Sequence, residues 1–111
     1  MEKMSFAERV YSLCKQVPRG KVTTYKWIAD ELGTKGYQAI GQVLKRNPFS
    51  PEVPCHRVVA ADGSLGGFRG REIKEKIMLL RNEGVYVENN KIVLAKYGFH
   101  FLESANFPKN I

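Results

Sequence analysis

The chain has 111 residues, 43% of them hydrophobic, which suffices for one domain with a real core and excludes a multidomain machine. Eighteen basic against 11 acidic side chains leave a formal net charge of +7 at pH 7, which directs attention to acidic partners. No apolar run reaches the roughly 18 residues of a membrane span, and Met1, Glu2, Lys3, Met4 and Ser5 are too polar for a signal peptide, so the chain reads as soluble and intracellular, without a membrane partner.

Ser5-Phe6-Ala7-Glu8 has the spacing of a capping box, and Phe6, Val10, Leu13, Cys14 and Val17 then recur as the stripe of an amphipathic helix that Pro18 and Gly20 stop. Cys14 lies on that stripe and reads as a small buried hydrophobe. Thr23 and Thr24 cap a second helix running to Leu32, with Tyr25, Ile28, Ala29 and Leu32 on one side and Gly33 as the left-handed exit. A third helix, from about Tyr37 to Arg46, turns Ile40, Val43 and Leu44 inward and leaves Gln38, Ala39, Gly41, Gln42 and Lys45 on its open side. Ala39 and Gly41 there permit close approach to another surface. Two short helices joined by a glycine-containing turn fit a helix-turn-helix, and they fit an ordinary helical hairpin equally well.

Pro48, Pro51 and Pro54 keep the next segment extended. Cys55-His56-Arg57-Val58-Val59 follows as a short strand or turn with polar residues at its entrance. The loop from Asp62 to Gly70 is glycine-rich but matches neither a P-loop nor a dinucleotide fingerprint, and reads as a lid beside the cysteine. A last helix from about Arg71 to Glu83 buries Ile73, Ile77 and Leu80 and ends at Gly84. Val85-Tyr86-Val87 and Ile92-Val93-Leu94, around the turn Glu88-Asn89-Asn90, suggest a terminal hairpin or wing. The expected fold is therefore mainly α with a small β element.

The charge is uneven. Residues 1 to 60 hold ten basic and five acidic side chains, whereas residues 61 to 90 hold five of each. Such an excess steers a protein toward polyanions, although it also serves mere solubility. Cys14 and Cys55 form no C-x-x-C pair, so neither a zinc site nor a disulfide scaffold is expected, and no metal or cofactor is called for. A thiol reacts as its thiolate, which cationic neighbours or a hydrogen-bonded base favour. Cys55 has His56 as a proton acceptor, Arg57 as a source of positive potential and Pro54 to fix the turn, yet a cysteine beside a histidine is also common in plain packing.

The run Pro54-Cys55-His56-Arg57-Val58-Val59 resembles the active-site motif of the O6-alkylguanine-DNA alkyltransferases. The likeness extends through Gly20-Lys21-Val22-Thr23-Thr24-Tyr25, Gly41 to Asn47-Pro48, Gly63 to Gly70 and Leu79-Leu80-Arg81-Asn82-Glu83-Gly84, covering about residues 4 to 98. It implies a winged helix-turn-helix-like alkyltransferase domain that enters the minor groove of duplex DNA, flips out O6-alkylguanine and transfers the alkyl group irreversibly to Cys55, without cofactor or metal. On this resemblance His56 acts through a water as base, Glu83 orients the histidine, and Asn47 braces the thiol-bearing turn. Tyr25 assists extrusion and donates a proton toward the leaving guanine. Thr24, Tyr25, Gln38, Ala39, Gly41, Lys45 and Arg46 would form the DNA-binding face. Val58, Phe68 and Arg69 would line the base pocket, with the backbone of Cys55 and Val58 on the base edge and the Arg69 amide at O6.

Three features depart from the family. Gln38 stands where the family has an arginine that fills the space of the flipped base, so weaker binding and slower repair are expected. Phe68 and Arg69 replace a tyrosine and a small or hydroxyl residue, which predicts poor reaction with bulky benzylguanine substrates. The chain also begins almost at the DNA-binding part, so residues 1-111 are expected to be a single, monomeric DNA-binding and alkyl-transfer domain without the N-terminal domain of many relatives. In that respect it is similar to the alkyltransferase-like proteins, which recognise such lesions but have replaced the cysteine. A lesion-recognition module with little or no transfer is accordingly the alternative. A small transcriptional regulator is a third reading, which leaves Pro54 to Val58 and Glu83 without a purpose.

Overall fold

A helix begins at Phe6 because Ser5 is fitted to cap it: its hydroxyl accepts from the Glu8 amide at 3.1 Å while the Glu8 carboxylate accepts from the Ser5 amide at 2.8 Å. In the computed structural model, which describes residues 4–47, 52–65 and 70–101, this helix is α1 (Phe6–Gln16). It buries Val10, Leu13 and Cys14, but Phe6, at the first turn of the expected stripe, stays 39% exposed because it precedes the layer that α2 and α3 cover.

Strand β1 (Thr23–Thr24) runs straight into α2 (Tyr25–Leu32), with the Thr24 hydroxyl accepting from the Trp27 amide at 2.9 Å. Gly33, at φ 73°, closes α2 in the left-handed conformation that a glycine adopts without strain. Helix α3 (Tyr37–Lys45) follows and buries Ile40 and Leu44, with Arg46 as its C-cap rather than its last residue. Residues Cys55–Arg57 form a single 3-10 turn, after which β2 (Val58–Val59) lies parallel to β1 in the register Thr23 to Val58 and Thr24 to Val59.

Helix α4 (Gly70–Asn82) buries Leu80 against the far side, and α5 (Leu94–Tyr97) ends the described fold. Of the expected terminal hairpin only the tight end is formed: Glu88 and Lys91 pair antiparallel and exchange amide-to-carbonyl bonds at 3.1 and 3.0 Å, while Val85-Tyr86-Val87 and Ile92-Val93-Leu94 do not pair as strands. Asn89 and Asn90, at φ 54° and 58°, make a tight turn between Glu88 and Lys91. The returning chain bonds to the segment after β2 instead, the Ile92 amide donating to Gly63 at 2.9 Å and the Leu65 amide to Asn90 at 3.0 Å. Leu94 then starts α5 rather than ending a strand.

The apolar side chains fall into two clusters. One joins α1, α2 and α3 to Val53, Val58 and Phe101; the other gathers Val22, Val59, Leu65, Leu80, Val85, Val87 and Ile92. Successive strand residues face opposite sides, so Val58 enters the first cluster and Val59 the second, and β2 lies on the seam between them. The cysteine turn sits at the head of that seam. No helix among the described residues is long and apolar enough to cross a membrane.

Candidate active site and nucleic-acid interface

The turn carrying Cys55 is braced from below. The Val53 carbonyl accepts both the Cys55 amide and the Asn47 side-chain amide, each at 2.8 Å, so Asn47, just beyond α3, ties that helix to the turn. The Cys55 thiol is free and half-buried, whereas Cys14 is fully buried and its thiol is pushed up to about 12, chiefly by burial and then by the charge of Cys55. Cys14 therefore stays protonated and inert.

His56 is turned inward, 7% exposed, with Nε2 at 2.9 Å from Glu83 Oε2. Burial lowers the imidazole pKa below its usual value and outweighs the opposing pull of the Glu83 carboxylate, so the ring is neutral near pH 7. With Nε2–H directed at the carboxylate, Nδ1 is the nitrogen left to accept a proton. Burial alone would raise the Glu83 carboxyl, but hydrogen bonds from Arg57 and His56, with their charges, together bring it below its ordinary value.

Arg57 does something the sequence does not disclose. Its guanidinium bonds Glu83 at 2.9 and 2.7 Å and donates to the Val17 carbonyl at 2.8 Å. The positive potential expected of it is largely neutralised by Glu83. It works as a strut joining the thiol turn to the end of α1 and the end of α4. Gly20 completes this packing: its φ is 89°, and a Cβ there would stand 3.3 Å from the Glu83 carbonyl oxygen.

Tyr25, first in α2, is half-buried against the cluster that includes Cys55, and burial, followed by the charges of Cys55 and Cys14, pushes its hydroxyl up to about 12. It remains a proton donor. Thr24 does not face outward as a DNA-binding residue would: it is fully buried and its hydroxyl is engaged by Trp27. Gln38, Ala39, Lys45 and Arg46 are exposed along α3, and Gly41 is partly so. A Cβ at Gly41 would meet nothing within 4 Å, so no internal contact demands a glycine there. Val58 has a buried side chain, and its carbonyl accepts from Lys76 at 2.7 Å. Phe68, Arg69 and residues 66–69 of the lid expected from Asp62 to Gly70 lie outside the described residues.

The lysine was missed in reading the sequence, although Ile73, Lys76, Ile77 and Leu80 share one helical face and the signal was a cation in that stripe. Among the described residues no cluster of three or more potential metal ligands occurs.

Residues 5–85 match the family model of the 6-O-methylguanine DNA methyltransferase DNA-binding domain. A bifunctional methyltransferase/endonuclease of Picrophilus torridus is 41% identical over 106 residues, 95% of this chain but 35% of that protein. A methylated-DNA--protein-cysteine methyltransferase of Sulfolobus acidocaldarius is 45% identical over 85 residues, covering 76% of this chain and 52% of the relative. The chain thus spans about a third to a half of the curated relatives it matches. In structure it is similar to S. pombe Atl1, solved with damaged DNA containing O6-carboxymethylguanine, at TM-score 0.78 and 27% identity over 89% of this chain and 98% of Atl1.

Proposed function

The chain belongs to the 6-O-methylguanine DNA methyltransferase family through its DNA-binding domain, and on that premise we propose that it repairs duplex DNA by moving the alkyl group of O6-alkylguanine onto Cys55. The observation that carries this reading is the contact of His56 Nε2 with Glu83 at 2.9 Å beside a free thiol, because it leaves Nδ1 of a neutral imidazole as a base. Through a water, Nδ1 takes the thiol proton. Sγ then bonds to the alkyl carbon as the carbon–O6 bond breaks, and the departing guanine takes a proton from the Tyr25 hydroxyl. The products are a thioether and guanine, so each molecule acts once. No metal or cofactor enters this balance.

Access requires the base to leave the stack at a cost of a few kcal/mol, which calls for a groove-facing helix next to the pocket. Helix α3 has that place: Asn47 links its end to the thiol turn, and its open side carries Gln38, Ala39, Lys45 and Arg46. The excess of basic side chains supplies sequence-independent attraction to phosphates, which weakens as salt rises.

A second reading is lesion recognition with little or no transfer, favoured by the match to nearly the whole length of Atl1. Intact mass after incubation with O6-methylguanine duplex separates the two. A gain of one methylene, absent in Cys55→Ser, supports transfer; lesion-selective binding without that gain supports recognition alone. Indifference to the lesion with preference for one sequence would favour a regulator and overturn both.

A further inference from the structure

From the end of α5, residues 97–101 run beside the start of β1. The Val22 amide donates to the Tyr97 carbonyl at 2.9 Å and the Phe99 amide to the Val22 carbonyl at 2.7 Å, the two bonds of a parallel bridge between Val22 and Gly98. Alternate residues of an extended stretch face opposite ways. Gly98 and His100 meet the Trp27 indole, whereas Phe99 and Phe101 stack edge to face at 5.5 Å and Phe101 enters the core of α1, α2 and α3. The indole is held closely. Its centroid lies 3.8 Å from that of the exposed His100 ring, and a Cβ on Gly98 would stand 3.0 and 3.1 Å from Cη2 and Cζ3 of Trp27 and 2.6 Å from the Leu94 carbonyl oxygen, so the approach of ring to backbone depends on glycine. Trp27 follows Tyr25 by two positions, about 200° around the first turn of α2. A roll of the helix that shifts the indole therefore carries the phenol with it.

We propose that Trp27, clasped by Gly98 and His100, is a positioning residue for alkyl transfer: it fixes the roll of α2 and so the place from which the Tyr25 hydroxyl serves the extruded base. The inference rests on the proposed transfer to Cys55 and adds the residues that hold its proton donor. The clasp acts through Tyr25 and needs no contact of its own with DNA. Opening it should lower the maximal rate of transfer and leave the half-saturating duplex concentration unchanged.

Trp27 is the only tryptophan of the chain, so its emission reports the clasp directly. His100→Ala should shift that emission to the red and slow saturated single-turnover transfer from O6-methylguanine duplex, read by intact mass, by about five- to tenfold, since a misplacement of about 1 Å can cost about 100-fold. His100→Phe, which restores an aromatic face, should recover most of both. Gly98→Ala, which drives a methyl group against the indole, should act like His100→Ala, and circular dichroism checks each fold. In Tyr25→Phe, where the hydroxyl is already gone, neither substitution should slow transfer further, because both act through that group. An equal loss in the Tyr25→Phe and wild-type backgrounds would make the clasp a scaffold only and overturn the proposal. A red shift without a change in rate, or an emission that His100→Ala does not move, would overturn it as well. Absence of transfer by the folded wild-type chain would instead sink the underlying function.

Discussion

Arg57 holds Glu83 by two parallel hydrogen bonds, Nε to Oε1 at 2.9 Å and Nη2 to Oε2 at 2.7 Å. Fork-to-fork pairing of this kind fixes a carboxylate in plane as well as in place. The same Oε2 meets His56 Nε2, so the guanidinium sets the imidazole's orientation through the carboxylate. Glu83→Gln keeps the shape but leaves Arg57 and His56, 15% and 7% exposed, with a neutral partner. Breaking a nearly buried pair costs about 3 kcal/mol. Urea unfolding should register a loss of that order, and the transfer rate should fall about tenfold or more. An unchanged rate would remove Glu83 from the proton path.

Acid should affect rate and stability in the same direction. Burial holds the His56 pKa below its ordinary value despite Glu83, so the folded state favours the neutral ring. A group depressed on folding stabilises the protein above its unfolded pKa, near 6.5 for histidine, and that contribution is lost as pH falls through the folded value. The depressed carboxyl of Glu83 adds a loss of the same sign at lower pH. Transfer rate should therefore stay level from pH 7 down to about 6.5 and decline only below it. A single-turnover profile that already falls by half at neutral pH would contradict a neutral, buried base.

Thr23 is fully buried in β1, and its hydroxyl oxygen finds no hydrogen-bond partner among the described residues. A buried unsatisfied hydroxyl costs about 1–3 kcal/mol, and valine has nearly the same shape and suits a strand. Thr23→Val should stabilise the fold by about 1 kcal/mol in denaturant titration. A loss of stability would mean that the hydroxyl has a partner in solution.

How much of this was legible in the sequence depends on the range of the interactions. The capping box at Ser5, the Thr24 cap and the Gly33 exit are local, and helices α1 to α3 start and stop close to where those residues place them. The strut from Arg57 to Glu83 spans 26 positions and the one to Val17 spans 40, which no spacing rule encodes. The terminal hairpin stops at its tight end for a related reason: beyond the Glu88–Lys91 pair, the Leu65 amide takes the Asn90 carbonyl and the Gly63 carbonyl takes the Ile92 amide. Thr24 was misplaced because a cap at a strand end and a residue facing a groove look alike in sequence. Lys76 needed no distant information, only attention to a cation inside an apolar stripe.

Lys76 also predicts behaviour at alkaline pH. Burial lowers its amine from 10.5 to about 8, partly offset by the charges of Cys55 and Cys14. Because the folded pKa lies below the unfolded one, the unfolded chain binds the extra proton, and stability contributed by this group rises with pH between about 8 and 10.5. The full rise is about 3 kcal/mol. Cys14 and Tyr25, both raised to about 12 by burial, act in the opposite sense and would mask it in the wild-type curve alone. The difference between wild type and Lys76→Met, measured by urea unfolding at pH 7.5 and 10, isolates it. Parallel curves would mean that the amine is not desolvated.

Gln38 tests the DNA-facing side of the fold. It is exposed in the first turn of α3, next to Ala39 and one turn before Gly41, on the face that internal packing leaves open. On the resemblance to the alkyltransferases it stands where an arginine fills the gap left by an extruded base, a task in which a neutral amide can hydrogen-bond the unpaired cytosine but adds no positive charge to the groove. The minor groove has negative potential and attracts inserted cations. Gln38→Arg should therefore tighten binding to O6-methylguanine duplex severalfold, steepen its salt dependence by up to about one counterion, and raise the transfer rate. Gln38→Ala should weaken binding further, because it neither fills the gap nor bonds the cytosine. Fluorescence of 2-aminopurine placed opposite the lesion separates insertion from general attraction, since only an inserted side chain changes the stacking of that base. An arginine variant that binds all duplexes more tightly without altering this signal would assign Gln38 to phosphate contact and move the gap-filling role elsewhere on α3.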